Sequence, residues 1–288
     1  MNSLVHRSCL YVPAHRHRMV EKAYASEADA IVLDLEDAVP QPYKADARTA
    51  AADILSGGPP KPTYVRVNGP HSELCRADVE AVALPSLAAL RLPKVEDPEP
   101  IRRVAGWLEV AESPAGIQIL VESARGLEAL PDLAAASPRL ERVGLGENDL
   151  RADLHAAFDS PTMQYARVRC VVATRAAGLA PPPQSVFPRL DDADGLRASC
   201  EDGQAMGFLG RFAAHPAQVP VINDVFTPSD RELRRAGELV AAASARSDSS
   251  VFLDDDGRPI APPLVAQARA VLAIADSLDS STRLEGAA

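Results

Sequence analysis

The sequence predicts an α/β protein, a (β/α)8 TIM barrel with a C-terminal helical extension. Short apolar runs alternate with Ala-rich amphipathic stretches, and eight of these runs are apolar enough to be buried on both faces, as parallel strands are. The 288 residues fit one barrel and an appendage. An open doubly wound sheet is the alternative. It does not require eight strands, and no GxGxxG motif follows the first predicted strand.

The predicted elements follow the order strand, then helix. The eight strands are Cys9–Val12, Ala30–Leu35, Thr63–Val67, Ala89–Leu92, Ile117–Val121, Arg142–Leu145, Ser185–Phe187 and Arg211–Ala214. The main helices between them are Tyr43–Leu55, Pro98–Ala111, Ala124–Ala136, Pro161–Leu179 and Asp191–Met206. Pro131 is expected to kink or split the helix that contains it, because proline removes a backbone donor.

After the eighth strand the pattern changes. Ser229–Ala245 predicts a helix that opens with a capping box formed by Ser229 and Glu232. The stretch 247–263 is polar and rich in turn residues, and Leu264–Leu278 predicts a last amphipathic helix.

The tail is too short to build a core of its own. We therefore expect a barrel domain that carries the catalytic site over residues 1–228. Residues 229–288 are then a helical lid or oligomerisation segment, packed on the barrel or on a neighbouring subunit.

Composition excludes several classes of function. Forty acidic residues against 30 basic ones give a net charge of −10, which disfavours nucleic acid as a partner. No apolar run approaches the ~20 residues of a membrane span, and the N-terminus lacks the features of a secretory signal. We expect a cytoplasmic protein with small-molecule or subunit partners. The four scattered cysteines, without a CxxC pair, are expected to be reduced and buried.

Charged residues follow five consecutive predicted strands. These segments are Asp34-Leu35-Glu36-Asp37, Arg66-Val67-Asn68, Pro93-Lys94-Val95-Glu96, Glu122-Ser123 and Gly146-Glu147-Asn148-Asp149. Any one of them could be an ordinary polar loop. The carboxyl ends of barrel strands form one mouth, however, and catalytic groups gather there. Five such ends together predict an active site.

Glu122 and Asp149 follow adjacent predicted strands, so their carboxylates could meet. Two hard oxygen ligands with open positions suit Mg²⁺, which keeps waters or substrate oxygens in its octahedron. The alternative is a salt bridge from Glu122 to Lys94 on the neighbouring strand.

Arg66 ends a buried strand and needs an anionic partner. The pattern leaves two possibilities open: an ion pair with Glu36 or Asp37, or a planar grip on a substrate carboxylate.

A basic loop, with Arg16 at its centre, follows the first strand and could meet a carboxylate or a phosphate. His15 and His17 flank Arg16, but no acidic residue lies beside them at helical spacing, which favours solvated loop histidines. His215 follows the eighth strand. It is either catalytic or a structural imidazole bonded to the backbone.

These segments resemble the citrate lyase beta subunit and its relatives, the CoA-ester lyase branch of the HpcH/HpaI aldolase superfamily. The similar segments are Arg7–Pro13 with Arg16, Ala28–Val39 with Lys44 and Ala47-Arg48, Val65–Asn68, Leu92–Glu96, Val121–Gly126, Gly146–Leu150 and Gly210–Ser229. They occur in the order typical of the family and span about four-fifths of the chain. The resemblance implies a TIM barrel.

The resemblance also implies the roles of site residues. Glu122 and Asp149 would hold Mg²⁺, and Arg66 would hold an oxo-acid carboxylate with support from Arg16. Glu36 and Asp37 would join Arg66 in the catalytic group, in the polar shell beside the metal. The family makes or breaks carbon–carbon bonds of 3-hydroxyacyl thioesters. Its members form trimers or hexamers, so a homotrimer is expected.

One residue departs from the family pattern. Relatives that act on CoA esters carry an Asp in the C-terminal segment, used as an acid or base across the subunit interface, and Ala261 stands at that position. The nearby Asp254, Asp255 and Asp256 are five to seven residues out of register. The departure bears on CoA-ester cleavage and leaves the expected metal and oxo-acid site intact.

Three functions are therefore compared. The first is a Mg²⁺-dependent lyase that cleaves a 3-hydroxyacyl-CoA, such as a citryl- or malyl-CoA-like ester, to acetyl-CoA and a 2-oxo acid. The second is an aldolase on a free hydroxy-oxo acid, which would not need the missing Asp. The third is a non-catalytic subunit that binds metal and oxo acid. The Glu36-Asp37 pair resembles the CoA-ester branch and favours the lyase.

Overall fold

The computed structural model describes residues 6–245, 251–253, 257 and 259–285. Within them the chain forms two compact units, one from His6 to Asp224 and one that begins at Val225. None of the described helices combines the length and the apolar character needed to cross a bilayer.

The first unit is built on a curled sheet of parallel strands. These are β1 (Ser8–Pro13), β2 (Ala30–Asp34), β3 (Thr63–Arg66), β4 (Leu87–Leu92), β5 (Gly116–Val121), β6 (Leu140–Leu145) and β7 (Arg211–Ala213). Their order across the sheet is β6-β5-β4-β3-β2-β1-β7, and each neighbouring pair is parallel. The prediction of an α/β fold with a parallel sheet is confirmed.

The predicted seventh strand, Ser185–Phe187, is wrong. In the described chain, pairing there is limited to one parallel bridge between Gln184 and Arg211. Prolines 181–183 and Pro188 surround the segment, and proline has no N–H to give to a ladder. The described residues therefore form a seven-stranded half-barrel, and the backbone ladder does not close between β6 and this segment.

Helices follow the strands. They are α1 (His17–Tyr24), α2 (Lys44–Ser56), α3 (Leu74–Val82), α4 (Glu99–Val110), α5 (Ala124–Glu128), α6 (Leu130–Ala134), α7 (Glu147–Asp153), α8 (Pro161–Ala176), α9 (Ala193–Met206) and α10 (Val219–Phe226). The predicted split of the helix over 124–136 is confirmed, because α5 ends and α6 begins on either side of Ala129, next to Pro131. The short helices α1, α3, α7 and α10 were not predicted.

The strands are buried on both faces, as their continuous apolar runs require. All residues of β2 and of β5 are buried. Side chains at alternate positions fill the interior of the curled sheet below its carboxyl ends, in one cluster of Cys9, Ala30, Val32, Tyr64, Ala89 and Phe212. The four cysteines are free thiols and buried, as predicted.

The amino ends of the strands are fastened by polar contacts. Arg7 forms a two-pronged ion pair with Asp29, with N–O distances of 2.7 and 2.9 Å. The buried Ser8 hydroxyl donates to Asn223 Oδ1 at 2.7 Å and accepts from the Asp29 amide. The Tyr64 hydroxyl meets His6 Nδ1 at 2.6 Å. Residues of the opening motif therefore fix β1 to β2.

The second unit is a small helical assembly. It contains α11 (Asp230–Ser244), the hairpin strands β8 (Phe252–Leu253) and β9 (Pro259–Ile260), and α12 (Pro262–Glu285). Its core is one cluster of Ala236, Leu239, Ile260, Val265 and Ala268. The predicted capping box of Ser229 and Glu232 is present at the start of α11.

Candidate active site

A cavity of about 480 Å³ opens at the carboxyl ends of the strands. Side chains from all seven strands of the sheet or the segments after them line it, among them Tyr11, Arg66, Arg91, Glu122, Asp149 and Phe212. The structure therefore brings together the charged strand ends that the sequence placed at one mouth.

Arg66 is held by Asp34, a residue that lies in one of the predicted charged segments but was given no role of its own there. Its Nε and Nη2 atoms donate to the two carboxylate oxygens of Asp34 at 2.7 and 2.6 Å. Asp34 ends β2 on the face that points into the curled sheet, and its oxygens also accept from the Glu36 and Ala38 amides. The alternation of inward positions along β2 could have identified Asp34. The bidentate pair fixes the plane of the Arg66 guanidinium.

Two further carboxylates meet the free edge of Arg66. Its Nη1 atom lies 3.2 Å from Glu36 Oε2 and 3.7 Å from Asp37 Oδ2. Lys94 Nζ donates to the same two carboxylates, at 2.6 and 3.2 Å. Arg66, Lys94, Glu36 and Asp37 therefore form one charged cluster. Lys94 pairs with Glu36 and Asp37, and the ion pairs of the described chain do not include the alternative salt bridge from Lys94 to Glu122.

The pKa values of Glu36 and Asp37, the two acidic members of this cluster, shift in opposite directions. Burial raises the pKa of Glu36 even though Arg66 and Lys94 oppose it. Burial also acts to raise the pKa of Asp37, but the charges of Arg66 and Lys94 outweigh it and the net shift is downward. Lys94 has a positive φ of 55°, a conformation that costs energy for a residue other than glycine. The ion pairs help to hold it there.

A second layer of contacts supports the loop after β2. Lys44 Nζ donates to the Leu35 and Glu36 carbonyl oxygens and to Asn68 Oδ1, each at 2.7 Å. The buried Asp78 accepts from Asn68 and from Arg48. Lys44 and Arg48 belong to the similar segments found in the sequence, and their contacts show that they position the loop that carries Glu36 and Asp37.

Glu122 lacks a hydrogen-bond partner where one is needed. The residue is 6% exposed, and its Oε2 atom is buried with no partner among the described residues. Burial, followed by the charges of Glu36 and Asp149, raises the pKa of Glu122 to about 8. A Cβ at Gly146 would lie 2.4 Å from Glu122 Cγ, so glycine is required to leave room for this carboxylate.

Asp149 completes the acidic pair. It lies in the first turn of α7, is exposed, and lines the same cavity as Glu122. Glu147, two residues earlier, is buried and paired with Arg167 at 2.6 Å. The acidic run therefore divides into a structural residue, Glu147, and a residue that faces the cavity, Asp149.

The pair formed by Glu122 and Asp149 fits an open metal site. Within the described residues no three His, Cys, Asp or Glu side chains are grouped to enclose a metal. Two carboxylates with remaining open positions are the protein share expected for Mg²⁺, which binds through one or two carboxylates and keeps other ligands. A divalent cation would satisfy the unpartnered oxygen of Glu122 and offset the repulsion from Asp149.

The loop after β1 is less closely tied to the cavity. Arg16 is exposed at the N-terminal cap of α1 and is not among the residues that line the cavity. Its role in substrate binding stays a prediction. His15 stacks on Tyr43 with ring centroids 5.3 Å apart, and His17 is exposed. His215 Nδ1 accepts from the Ala217 amide, which is the backbone contact expected of the structural alternative.

A curled parallel sheet with charged residues gathered at its carboxyl ends is the arrangement found in α/β enzymes whose active sites lie at the strand ends. The family model for HpcH/HpaI aldolase/citrate lyase matches residues 7–216. The chain belongs to this family, and the resemblance found in the sequence is confirmed.

Characterised relatives cover most of the chain. A (3S)-malyl-CoA thioesterase of Cereibacter sphaeroides is 36% identical over 277 residues, which are 94% of this chain and 95% of the relative. The mitochondrial citramalyl-CoA lyase of Rattus norvegicus is 32% identical, covering 94% and 86%. The crystal structure of CitE from Mycobacterium tuberculosis, in complex with magnesium, acetoacetate and coenzyme A, superposes with a TM-score of 0.78 at 28% identity, over 96% of this chain and 100% of CitE.

Proposed function

We propose that this protein is a Mg²⁺-dependent carbon–carbon lyase that cleaves a 3-hydroxyacyl-CoA to acetyl-CoA and a 2-oxo acid. The observation that carries the proposal is the buried, unpartnered carboxylate oxygen of Glu122, in a cavity shared with Asp149 and Arg66. The lyase among the relatives and the magnesium and coenzyme A in the CitE structure support it.

Glu122 and Asp149 would hold Mg²⁺. When bound, the ion supplies positive charge that polarises the carbonyl and carboxylate oxygens of an oxo acid. Arg66 lines the same cavity, and Asp34 fixes the plane of its guanidinium through Nε and Nη2. Its Nη1 edge, which meets Glu36 and Asp37 at 3.2 and 3.7 Å, would hold the oxo-acid carboxylate in place of those contacts. Arg16 would add positive charge at the mouth.

The reaction needs one proton acceptor and one proton donor. The substrate hydroxyl gives up its proton, the bond between C2 and C3 breaks, C3 becomes the carbonyl of the oxo acid, and C2 of the thioester enolate takes up a proton. Glu36 and Asp37 are the carboxylates beside Arg66, and Asp37 is the one that is half-exposed. In this proposal Asp37 exchanges the proton, and Glu36 keeps Arg66 and Lys94 in place.

The architecture proposed for the whole chain follows the same reasoning. In this proposal residues 184–187 occupy the position of the eighth barrel strand. The Ser185 hydroxyl accepts from the Glu147 amide at 3.4 Å, and this contact next to β6 supports closure into a (β/α)8 barrel. Residues 1–228 then form the catalytic barrel, and 229–288 a lid or oligomerisation segment in a cytoplasmic trimer or hexamer. Light scattering coupled to size exclusion tests the oligomer.

The activity is tested with malyl-CoA, citramalyl-CoA and citryl-CoA, with Mg²⁺ and with EDTA. A thiol reagent measures free CoA, and a coupled dehydrogenase measures the oxo acid. We expect one oxo acid and one acetyl-CoA for each substrate molecule cleaved, no free thiol, and no turnover in EDTA. Free thiol without oxo acid would replace the proposal with thioester hydrolysis. Thioester hydrolysis is a further candidate beside those compared from the sequence, and the name of the 36%-identical relative favours it.

Ala261 tests whether the acid that is missing at this position limits the cleavage of CoA esters. It precedes α12, and the tripeptide Asp254–Asp256 that might replace the missing acid lies outside the described residues. We expect Ala261→Asp to raise the rate of oxo-acid release from the CoA esters. An unchanged rate would favour the aldolase on a free hydroxy-oxo acid or the non-catalytic subunit, which a panel of free acids then separates.

A further inference from the structure

Arg91 is a buried cation inside the curled sheet. It is 2% exposed, lies on β4, and points into the cavity that Glu122 and Asp149 also line. The family-like segment begins only at Leu92, and neither the proposed metal site nor the proposed reaction uses Arg91.

The contacts of Arg91 are neutral. Its Nε donates to the Tyr11 hydroxyl at 2.6 Å and its Nη1 to Gln118 Oε1 at 3.2 Å, and its guanidinium lies 3.8 Å from the Phe212 ring centroid. Among the described residues no carboxylate lies within 4.0 Å of it, and no acceptor is bonded to its Nη2 atom. A guanidinium has five N–H donors, so most of its hydrogen-bonding capacity is unused.

The surroundings make this lack of an anion more costly. Arg91 is the register partner of Arg66 on the adjacent strand, and both guanidinium groups lie near the Tyr11 ring. Asp34 neutralises Arg66 but does not contact Arg91. A buried charge without a counter-charge costs several kcal/mol. An anion in the cavity would remove that cost.

Space is kept for this side chain. A Cβ at Gly144 on β6 would lie 3.2 Å from Arg91 Nη2. Leu120, on the strand between them (β5), also lines the cavity, so neither of these two neighbours gives the Nη2 atom of Arg91 a side-chain acceptor. An anionic group that enters the cavity beyond the metal site would therefore meet Arg91 as its cationic partner.

We propose that Arg91 binds a second carboxylate of the oxo acid, at the end away from the metal, and so selects dicarboxylic 2-oxo acids. The inference rests on the proposed function, since it assigns the far end of the same substrate. Adjacent strands lie ~4.8 Å apart, so Arg66 and Arg91 can face the two ends of a four- or five-carbon chain.

Calorimetry with Mg²⁺ and matched ligand pairs tests this assignment. The pairs are oxaloacetate with 2-oxobutyrate and 2-oxoglutarate with 2-oxovalerate, which differ only in a distal carboxylate or methyl group. We expect the wild type to bind the dicarboxylate of at least one pair about 10-fold or more tightly. Arg91→Met should remove the preference and leave the monocarboxylate affinity within about threefold. Arg211→Met, the matched control at a buried arginine that does not line the cavity, should keep the preference.

The possible outcomes separate this inference from the proposed function. No Mg²⁺-dependent binding of any oxo acid would overturn both. Binding without a preference in the wild type, or an equal loss for both members of a pair in Arg91→Met, would overturn the role of Arg91 alone. If Arg91→Met does not fold, Arg91→Lys keeps the charge but loses the planar fork, and a preference as large as that of the wild type would then contradict the assignment.

Discussion

The two ends of the curled sheet treat their buried polar groups differently. At the amino ends, Arg7 pairs with Asp29, and the Ser8 hydroxyl bonds to Asn223. At the carboxyl ends, Glu122 keeps a buried oxygen without a partner, and Arg91 has no carboxylate beside it in the described chain. Buried groups are ordinarily satisfied because an unmet one costs about 1–3 kcal/mol, and more if charged. The paired groups at the amino ends therefore serve stability. His6 Nε2 and two Arg211 nitrogens there also lack a partner among the described residues, but neither residue lines the cavity, whereas the unmet groups at the carboxyl ends face a space that a ligand can enter.

The charged residues at the carboxyl ends also fall into two groups, which differ in whether the protein itself supplies their counter-charges. The cluster of Arg66, Lys94, Glu36 and Asp37 is internally paired, whereas Glu122 and Asp149 are two acidic groups with no cation bonded to them in the described structure. One part is preorganised by the protein and the other is left for an external cation. Substitutions in the two parts are expected to differ in their effect on folding.

The largest effect is expected from Glu122→Gln. The amide cannot replace a carboxylate on Mg²⁺, so Mg²⁺-dependent cleavage and calorimetric Mg²⁺ binding should both be lost. The free energy of unfolding should be unchanged or higher, because a buried, repelled carboxylate is removed. Glu96→Gln is the matched control, since Glu96 bonds to Ser123 and does not line the cavity. Normal Mg²⁺ binding in Glu122→Gln would refute the metal assignment.

Arg66→Met should lower both activity and stability. It leaves Asp34, which is 1% exposed, without its counter-charge, and breaking a buried pair costs ~3–5 kcal/mol. Urea denaturation measures the loss, and Asp34→Leu added to the variant should restore part of it. Arg76→Met removes an exposed helical pair with Glu80 and should change stability by less than ~0.5 kcal/mol. Equal losses of unfolding free energy in Arg66→Met and Arg76→Met would contradict the assignment of Arg66 to a preorganised, buried ion-pair cluster.

The sequence was sufficient for the strands and insufficient for their charged partners. Continuous apolar runs identified β1 to β7 because burial on both faces leaves a signal in the residues themselves. A strand at 185–187 was predicted because Val186 and Phe187 are apolar. The prolines around them have no N–H group to donate to a neighbouring strand, so the segment does not pair as a strand. An apolar run indicates that a segment is buried, but it does not indicate that its backbone pairs with a neighbouring strand.

Within the site, the residue types were predictable and several pairings were not. Glu122 and Asp149 were found because both follow strands that end at one mouth. Asp34 as the partner of Arg66, and Lys94 as the partner of Glu36, depend on which side chains of neighbouring strands share a register, and one sequence does not contain that information. Arg91 was hidden inside a strand, where a single charged residue does not disturb the apolar pattern.

His6 gives the amino ends a pH dependence of their own. Burial, followed by the charge of Arg142, lowers the pKa of His6 to about 4, from 6.5 in the unfolded chain. As the pH falls, the unfolded state therefore binds the proton first. The contribution of His6 to the free energy of unfolding is complete above pH 6.5 and is lost as the pH falls toward 4, by about 3 kcal/mol in all. Urea denaturation from pH 7 to 4.5 should show a shallower decline in His6→Gln than in the wild type. The exposed His155→Gln should leave the decline unchanged, and an unchanged decline in His6→Gln would exclude His6 as its source.

Ser8→Ala is expected to have the smallest effect and isolates the stabilising role of the amino ends. The Ser8 hydroxyl donates to Asn223 Oδ1 at 2.7 Å and accepts from the Asp29 amide at 3.3 Å. Its removal should cost ~1–2 kcal/mol of unfolding free energy, with Mg²⁺ and oxo-acid affinities unchanged because the cavity lies at the opposite end of the strands. The exposed Ser56→Ala should cost less than ~0.5 kcal/mol. A weaker Mg²⁺ affinity in Ser8→Ala would show that the two ends are coupled, and that the separation of stability from binding along the strands does not hold.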